Sequence, residues 1–144
     1  MSNIIIQSKN KFERFQLLVK ESKIEGLGAY ALSKIPARVK IGELAGNIIS
    51  IKEARAKAAT KKRIAIVEFD NKLALDATDT DGAIKYINHS CNPNSYIRVA
   101  HNKVEFYSLR EIKKGEELSA NYGETHHDGK LKCNCGAKNC KGFL

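Results

Sequence analysis

The sequence predicts a mainly β fold whose strands are predominantly antiparallel and accompanied by short helices. Three observations carry this: the apolar segments are short and rich in β-branched and aromatic residues, turn-forming residues separate them, and one stretch has a strongly helical composition. Phe15 to Lys20 (FQLLVK) is the first strand. Between Lys52 and Lys62 (KEARAKAATKK), alanine and long charged side chains favour a helix because they lose little rotamer freedom there. Arg63 to Phe69 (RIAIVEF) and Leu73 to Leu75 are strands joined by a hairpin turn at Asp70-Asn71. Asp79 or Thr80 offers an N-cap for a second helix, a few turns long, that runs into Ile87. Tyr96 to Val99 and Val104 to Leu109 flank a turn at Asn102-Lys103, and Lys113-Lys114-Gly115 turns the chain into a last strand, Glu117 to Ala120.

At 144 residues the chain is expected to be one domain, long enough to bury a core without disulfides. Its 42% hydrophobic and 28% charged residues are ordinary for a globular protein. No apolar run reaches the roughly 20 residues of a membrane-spanning helix, so no membrane role is expected. The opening MSNIIIQSKNKF lacks the apolar core of a secretory signal, which points to an intracellular protein with reduced cysteines; nucleus and bacterial cytoplasm both remain open. A formal charge of +9 and a pI near 9.4 favour anionic partners such as nucleic acid or nucleoprotein. The basic residues are nevertheless dispersed, clustering only at Lys61 to Arg63 and Lys113-Lys114, and the aromatic interleaving of single-strand binders is sparse.

Three of the four cysteines, Cys133, Cys135 and Cys140, stand near the end of the chain as CxCx4C. Four thiolates close a structural zinc site with no open position, and Cys91 supplies the fourth sulfur. A redox pair or inert thiols are the competing readings, and disulfides are disfavoured in a reducing compartment. Cys91 lies inside Asn88 to Asn94 (NHSCNPN), a dense polar run, so the metal would pin the C-terminus against it. Gly26-Leu27-Gly28 lacks the third glycine and the following helix of a dinucleotide fingerprint. It reads as a turn that needs positive backbone dihedrals, or as two side-chain-free positions on which a ligand lies against the backbone.

Four segments taken in order, SKIEGLGAYA, LDATDTDGAIKYINHSCNPN, IKKGEELSANYG and CNCGAKNCKGFL, resemble the SET-domain family of protein lysine methyltransferases, the last being similar to its post-SET segment. The resemblance runs from Glu21 to Leu144 and implies an N-terminal strand extension over 1–20, a SET domain over 21–123 and a post-SET zinc-binding segment over 124–144. The fold it implies is a set of small curved antiparallel sheets with a C-terminal pseudoknot, in which the strand leading to Asn121-Tyr122-Gly123 crosses the NHSCNPN run. The activity it implies is methyl transfer from S-adenosylmethionine to the side-chain amine of a lysine in a protein, such as a histone, a nucleosome or another basic protein. Residue by residue, it implies that Glu25, Gly26, Leu27 and Gly28 present backbone groups to the cofactor and that Asn88 hydrogen-bonds its methionine moiety. The main chain of His89 would recognise the adenine, Asn134 would lie against it and Phe143 would cover it or wall the channel. Tyr122 matches the catalytic tyrosine, and Cys91, Cys133, Cys135 and Cys140 match the zinc ligands.

The chain departs from the family at three places. Glu43-Leu44-Ala45-Gly46 stands where Glu-Tyr-x-Gly is frequent, so Leu44 replaces a channel tyrosine. Ala120 stands two residues before Tyr122, where many members carry a phenylalanine or tyrosine that limits how many methyl groups fit. Leu44, Ile97, Ala120 and Tyr122 are therefore the expected channel lining, and the small Ala120 permits di- or trimethylation. Asp81-Gly82 replaces the common Gly-Asn. Leu44 and Ala120 are also the best support for a different class, a SET-like module that grips a lysine-bearing or nucleoprotein partner without turnover. A zinc-dependent DNA-binding protein is a third class, resting on charge and cysteines. The presence of Tyr122, Asn88, His89 and all four cysteines favours the enzyme.

Overall fold

A computed structural model describes residues 6–8, 11–60, 65–69, 71–80, 82–121 and 138, and these form three small sheets around one apolar core. The first sheet is antiparallel, in the order β1 (Ile6–Ser8), β2 (Leu17–Glu21), β3 (Leu27–Ala31). Buried Leu17 and Val19 alternate with less buried Leu18 and Lys20, the period of a strand with one face on the core. β4 (Lys40–Glu43) belongs to the second sheet, whereas β5 (Asn47–Ser50), β6 (Ile66–Glu68) and β7 (Leu73–Asp76) make the third, in the order β5-β7-β6. The second sheet is completed by β8 (Asn88–His89), β9 (Ser95–Ala100), β10 (Lys103–Ser108) and β11 (Ser119–Ala120), in the order β4-β10-β9-β11-β8. Leu17, Ile35, Ile41, Ile87, Ile112 and Leu118 are the large, fully buried side chains at the centre.

The helix α1 (Ile51–Thr60) begins directly after β5. Ser50 caps it: the hydroxyl accepts the Glu53 amide at 3.1 Å, and the Glu53 carboxylate stands 3.3 Å from the same hydroxyl. Ala54 is its one buried residue, so little apolar area fastens the helix. Polar ties do so instead. The Lys57 ammonium bonds Asp76 and lies 3.3 Å from Asp79, and Arg55 meets Glu68 at 3.3 Å.

The order of the second sheet contains a crossing. β8 and β9 are joined by residues 90–94, yet β11 lies between them and runs parallel to both. The later strand thus passes beneath a loop joining two earlier ones. Threading of this kind is rare in proteins, because chain connections ordinarily avoid passing through one another. This is the pseudoknot of a SET-type fold, and it makes an otherwise antiparallel sheet mixed.

Two local expectations are corrected. The second helix is a single 3-10 turn, Ile84–Tyr86, preceded by Ala83 with no side-chain cap. Thr80 is engaged elsewhere, donating its hydroxyl to the carbonyls of Ala45 (2.5 Å) and Ala77 (2.9 Å), while the Glu13 carboxylate takes the Ala83 amide at 2.8 Å. The tight turn between β9 and β10 is His101-Asn102, not Asn102-Lys103. Both residues hold positive φ, 54° and 58°, as a two-residue hairpin matched to strand twist demands. The end of the first predicted helix at Lys61-Lys62, the start of the next strand at Arg63 and the turn residue Asp70 lie outside the described residues.

Candidate active site

Ser22 organises the turn between β2 and β3. Its hydroxyl accepts the amides of Ile24 (2.9 Å) and Glu25 (3.4 Å), and its own amide donates to the Gly26 carbonyl at 2.8 Å. Gly26 reverses the chain at φ 48°, a conformation that glycine adopts without Cβ strain, and lies exposed beside exposed Glu25. Asn88, sixty-odd residues away, grips this turn: its Nδ2 donates to the carbonyls of Glu25 (2.9 Å) and Leu27 (3.0 Å) and approaches the Ser22 hydroxyl at 3.1 Å.

Gly28 answers to a different constraint. A Cβ there would stand 2.3 Å from a carboxylate oxygen of Glu117 and 2.9 Å from Ser22 Cβ. The space its absent side chain leaves is filled by the protein's own carboxylate. That carboxylate accepts the Ser22 hydroxyl at 2.6 Å, and it stands 3.3 Å from Asn88 Nδ2 and 3.2 Å from the Tyr30 hydroxyl, which also lies 3.0 Å from the Glu21 carbonyl. Burial, reinforced by the neighbouring Glu117 charge, raises the Tyr30 phenol above its ordinary pKa, so it remains a donor at neutral pH.

The crossing beneath residues 90–94 is held by Asn94, which is buried. Its Nδ2 donates to the Glu117 carbonyl (2.8 Å) and approaches the Glu116 carboxylate (3.3 Å), while its Oδ1 accepts the Ser119 amide (2.9 Å) and the Ser95 hydroxyl (3.0 Å). The Ser90 amide donates to the Ala120 carbonyl at 3.0 Å. Glu116 is further fixed by the Arg110 guanidinium and the Lys113 amide, and these hold its pKa down at about 2. His89 at the end of β8 and Cys91 in the loop are both buried, the imidazole Nε2 standing 3.5 Å from the sulfur.

Strand register places three of the expected channel residues, Leu44, Ile97 and Ala120, on one sheet face. Ile97 pairs with Phe106, Val104 pairs with Val99, and the Leu44 amide extends the β4-β10 pairing to the Val104 carbonyl at 2.9 Å. Ala120 is opposite Ser95, two residues before Ile97. Leu44, Ile97 and Ala120 therefore share a face, because paired positions and alternate positions along a strand point the same way. Leu44 and Ile97 are partly buried against the core, and Ala120 is fully buried. A shallow cleft lined by Glu13, Glu43, Leu44, Thr80 and Lys85 reaches this face at Leu44 but touches none of Glu25, Asn88 and His89. Its cavity volume of about 10 Å³ is room for a water, far below the roughly 300 Å³ at which small-molecule sites begin.

The described residues thus unite Glu25, Gly26, Leu27, Gly28 and Asn88 at one locus, His89 with Cys91 at the crossing, and Leu44, Ile97 and Ala120 on one face. Tyr122, Cys133, Asn134, Cys135, Cys140 and Phe143 lie outside them. Among the described residues no three His, Cys, Asp or Glu side chains form a metal-holding group. Three organising residues, Ser22, Asn94 and Glu117, were not singled out from the sequence. The signal for Glu117 is present there: a carboxylate immediately before Leu118-Ser119-Ala120, a segment that must be buried, has to find donors or stay in water.

A family profile described as "SET domain" matches residues 26–123. Curated relatives agree in kind. Histone-lysine N-methyltransferase set-2 of Caenorhabditis elegans is 35% identical over 143 residues, covering 93% of this chain and 10% of that protein. The H3 lysine-4 specific histone-lysine N-methyltransferase of Saccharomyces cerevisiae is 36% identical over 135 residues, covering 85% of this chain and 12% of that protein. Histone-lysine N-methyltransferase 2D of Homo sapiens is 36% identical over 133 residues, covering 85% of this chain and 2% of that protein. The chain therefore spans from 2% to 12% of the length of these relatives.

Proposed function

We propose, from the premise that this chain belongs to the SET-domain family, that it is a protein-lysine N-methyltransferase that uses S-adenosylmethionine. The observation that carries the proposal is the grip of Asn88 on the Glu25–Gly28 turn beside a threaded crossing that leads, two residues past Ala120, to Tyr122. The turn suits the amino-acid end of such a cofactor: exposed Gly26 lets a ligand approach the backbone, and an amide side chain stands at the turn's base. Asn88 would hold the methionine moiety, Glu25, Gly26, Leu27 and Gly28 would offer main-chain groups, and His89, Asn134 and Phe143 would serve the adenine. When bound, S-adenosylmethionine supplies an electrophilic methyl group on a positively charged sulfur.

The chain's own residues then have two tasks. The first is to present a neutral amine. A free lysine has a pKa of about 10.4, and an apolar channel formed by Leu44, Ile97 and Ala120 disfavours its charged form. The second is alignment. The Tyr122 hydroxyl would orient the amine lone pair, and holding reacting groups in line lowers barriers by roughly 7 to 11 kcal/mol in well-oriented systems. No side-chain base is required, because the amine proton passes to water.

Cys91 with Cys133, Cys135 and Cys140 would hold a structural zinc, a role suited to thiol donors that include one buried at the crossing. The relatives' names point to a histone or similarly basic protein as substrate, and hence to a chromatin setting. Incubation with methyl-labelled S-adenosylmethionine and separate pools of core histones and cell lysate tests the whole reading. Label on lysine that Tyr122→Phe sharply reduces is the expected result. Cofactor binding without label in any pool would favour the binding-only module that Leu44 and Ala120 suggest, and failure to bind cofactor would overturn both.

A further inference from the structure

Glu117 takes no part in the chemistry above, yet three donors from three parts of the chain converge on it. Its Oε2 accepts a hydrogen bond from the Ser22 hydroxyl at 2.6 Å. With that proton committed, the lone pairs of the Ser22 oxygen are left to the turn, where they meet the Ile24 and Glu25 amides. The same Oε2 stands 3.3 Å from Asn88 Nδ2, and Gly28 gives it room to do so. The backbone fixes the carboxylate from behind: on either side of Glu117, the Leu118 amide donates to Ala29 (2.8 Å) and the Ala31 amide donates to Glu116 (3.0 Å). A charged acceptor makes these side-chain bonds stronger and more directional than neutral ones.

We propose that Glu117 is a positioning residue that sets the shape of the Ser22–Gly28 turn and the aim of Asn88 toward S-adenosylmethionine, acting through Ser22 without touching the cofactor. This rests on the reading of that turn as the cofactor site. Glu117→Gln keeps the size of the side chain but replaces one acceptor oxygen with an NH2 group, which faces donors it cannot accept from. Ser22→Ala removes the relay and leaves the carboxylate in place. If the two residues act as one unit, their effects will not add.

The test is titration calorimetry of S-adenosylmethionine on the 144-residue chain as wild type, Glu117→Gln, Ser22→Ala and the double variant, with KM for the cofactor, kcat and unfolding temperature measured alongside. Each single variant is expected to weaken cofactor binding about 10-fold or more, which is the loss of one charge-assisted bond. KM for the cofactor should rise in step, kcat at saturating cofactor should stay within about threefold of wild type, and the double variant should bind no more weakly than the worse single. Binding by Glu117→Gln within twofold of wild type would overturn the proposal, as would losses that multiply in the double variant. A fall in kcat and unfolding temperature with cofactor affinity intact would reduce Glu117 to a merely structural role. Should Glu117→Gln fail to fold, Ser22→Ala still decides. A wild-type chain that binds no cofactor would overturn the cofactor reading itself, a failure visible before any substitution is made.

Discussion

Ala120 and Glu116 are close in sequence and make opposite kinds of contribution. Ala120 is fully buried on the face it shares with Ile97 and Leu44, and in the proposed channel its small side chain would set no aromatic limit on methyl count. Excess cofactor and long incubation are expected to yield di- and trimethyl-lysine by mass spectrometry, and Ala120→Phe to arrest the product at monomethyl. A wild-type product that stops at monomethyl would show that a bulky neighbour such as Ile97 already fills the space. The larger ring carries an overpacking cost of about 1–3 kcal/mol, readable as a lower unfolding temperature. Glu116 acts through charge. The Arg110 guanidinium foremost, with the Lys113 amide and Asn94, outweighs burial and takes its pKa from 4.5 to about 2. Because the folded value is the lower one, the carboxylate stabilises the fold above about pH 4.5 and loses that contribution as pH falls through about 2. Glu116→Gln should reduce stability at pH 7 by on the order of 1 kcal/mol, after allowing for solvent screening. The gap from wild type should close on acidification in urea titrations run at several pH values.

At the scale of elements, the loop over residues 90–94 and the strand beneath it depend on Asn94. Asn94→Ala would leave the Glu117 carbonyl and the Ser119 amide without their side-chain partner in a buried setting, each at a cost of about 1–3 kcal/mol. A loss of about 3 kcal/mol in urea unfolding is expected, with β8, β9 and β11 exchanging amide hydrogens faster. Elements of this kind were the least legible in the sequence. β9 and β10 declared themselves through SYIRVA and KVEFYS; in β10 the alternation marks the face of Val104, Phe106 and Ser108 as buried, while β9 opens to solvent at Val99. β8 is two residues long and exists because it pairs with β11, so no local pattern foretells it, whereas β11 is the end of the strand expected over Glu117 to Ala120. β3 and β4 carry Gly28 and Gly42, which weaken a propensity signal, and β3 is nevertheless held on both sides, by β2 and by Glu116 to Leu118. The resemblance of NHSCNPN and NYG to a known family supplied what periodicity could not, the crossing itself. The shortened second helix failed for a tertiary reason: Thr80 and Lys85 are spent on the carbonyls of Ala45, Ala77, Thr78 and Thr80, and the segment is too constrained to wind further.

For the whole molecule, the threaded strand ties the core to the proposed site. Residues 116–120 bond to β3 through the Ala31 amide to Glu116 and the Leu118 amide to Ala29, and to β8 and β9 through the pairing of β11. They also close the Ser22, Tyr30 and Asn88 network through Glu117 and bury Leu118 at the centre of the core. A chain ending at residue 115 loses all of these at once. It is expected to show no cooperative unfolding transition, because two of the three sheets lose a bonded neighbour and the shared core loses its central leucine. Among the described residues, the core cluster draws on Leu17 to Ala120. A chain ending at Gly123 is expected to retain a cooperative transition while losing the three C-terminal cysteines proposed as zinc ligands, Asn134 and Phe143, and with them most of its affinity for S-adenosylmethionine. Thermal unfolding by circular dichroism and calorimetric titration of cofactor on the two truncations measure the two properties separately. Cooperative folding of the shorter chain would show that the crossing is not what closes the core. Undiminished cofactor binding by the longer one would remove the C-terminal cysteines, Asn134 and Phe143 from the site.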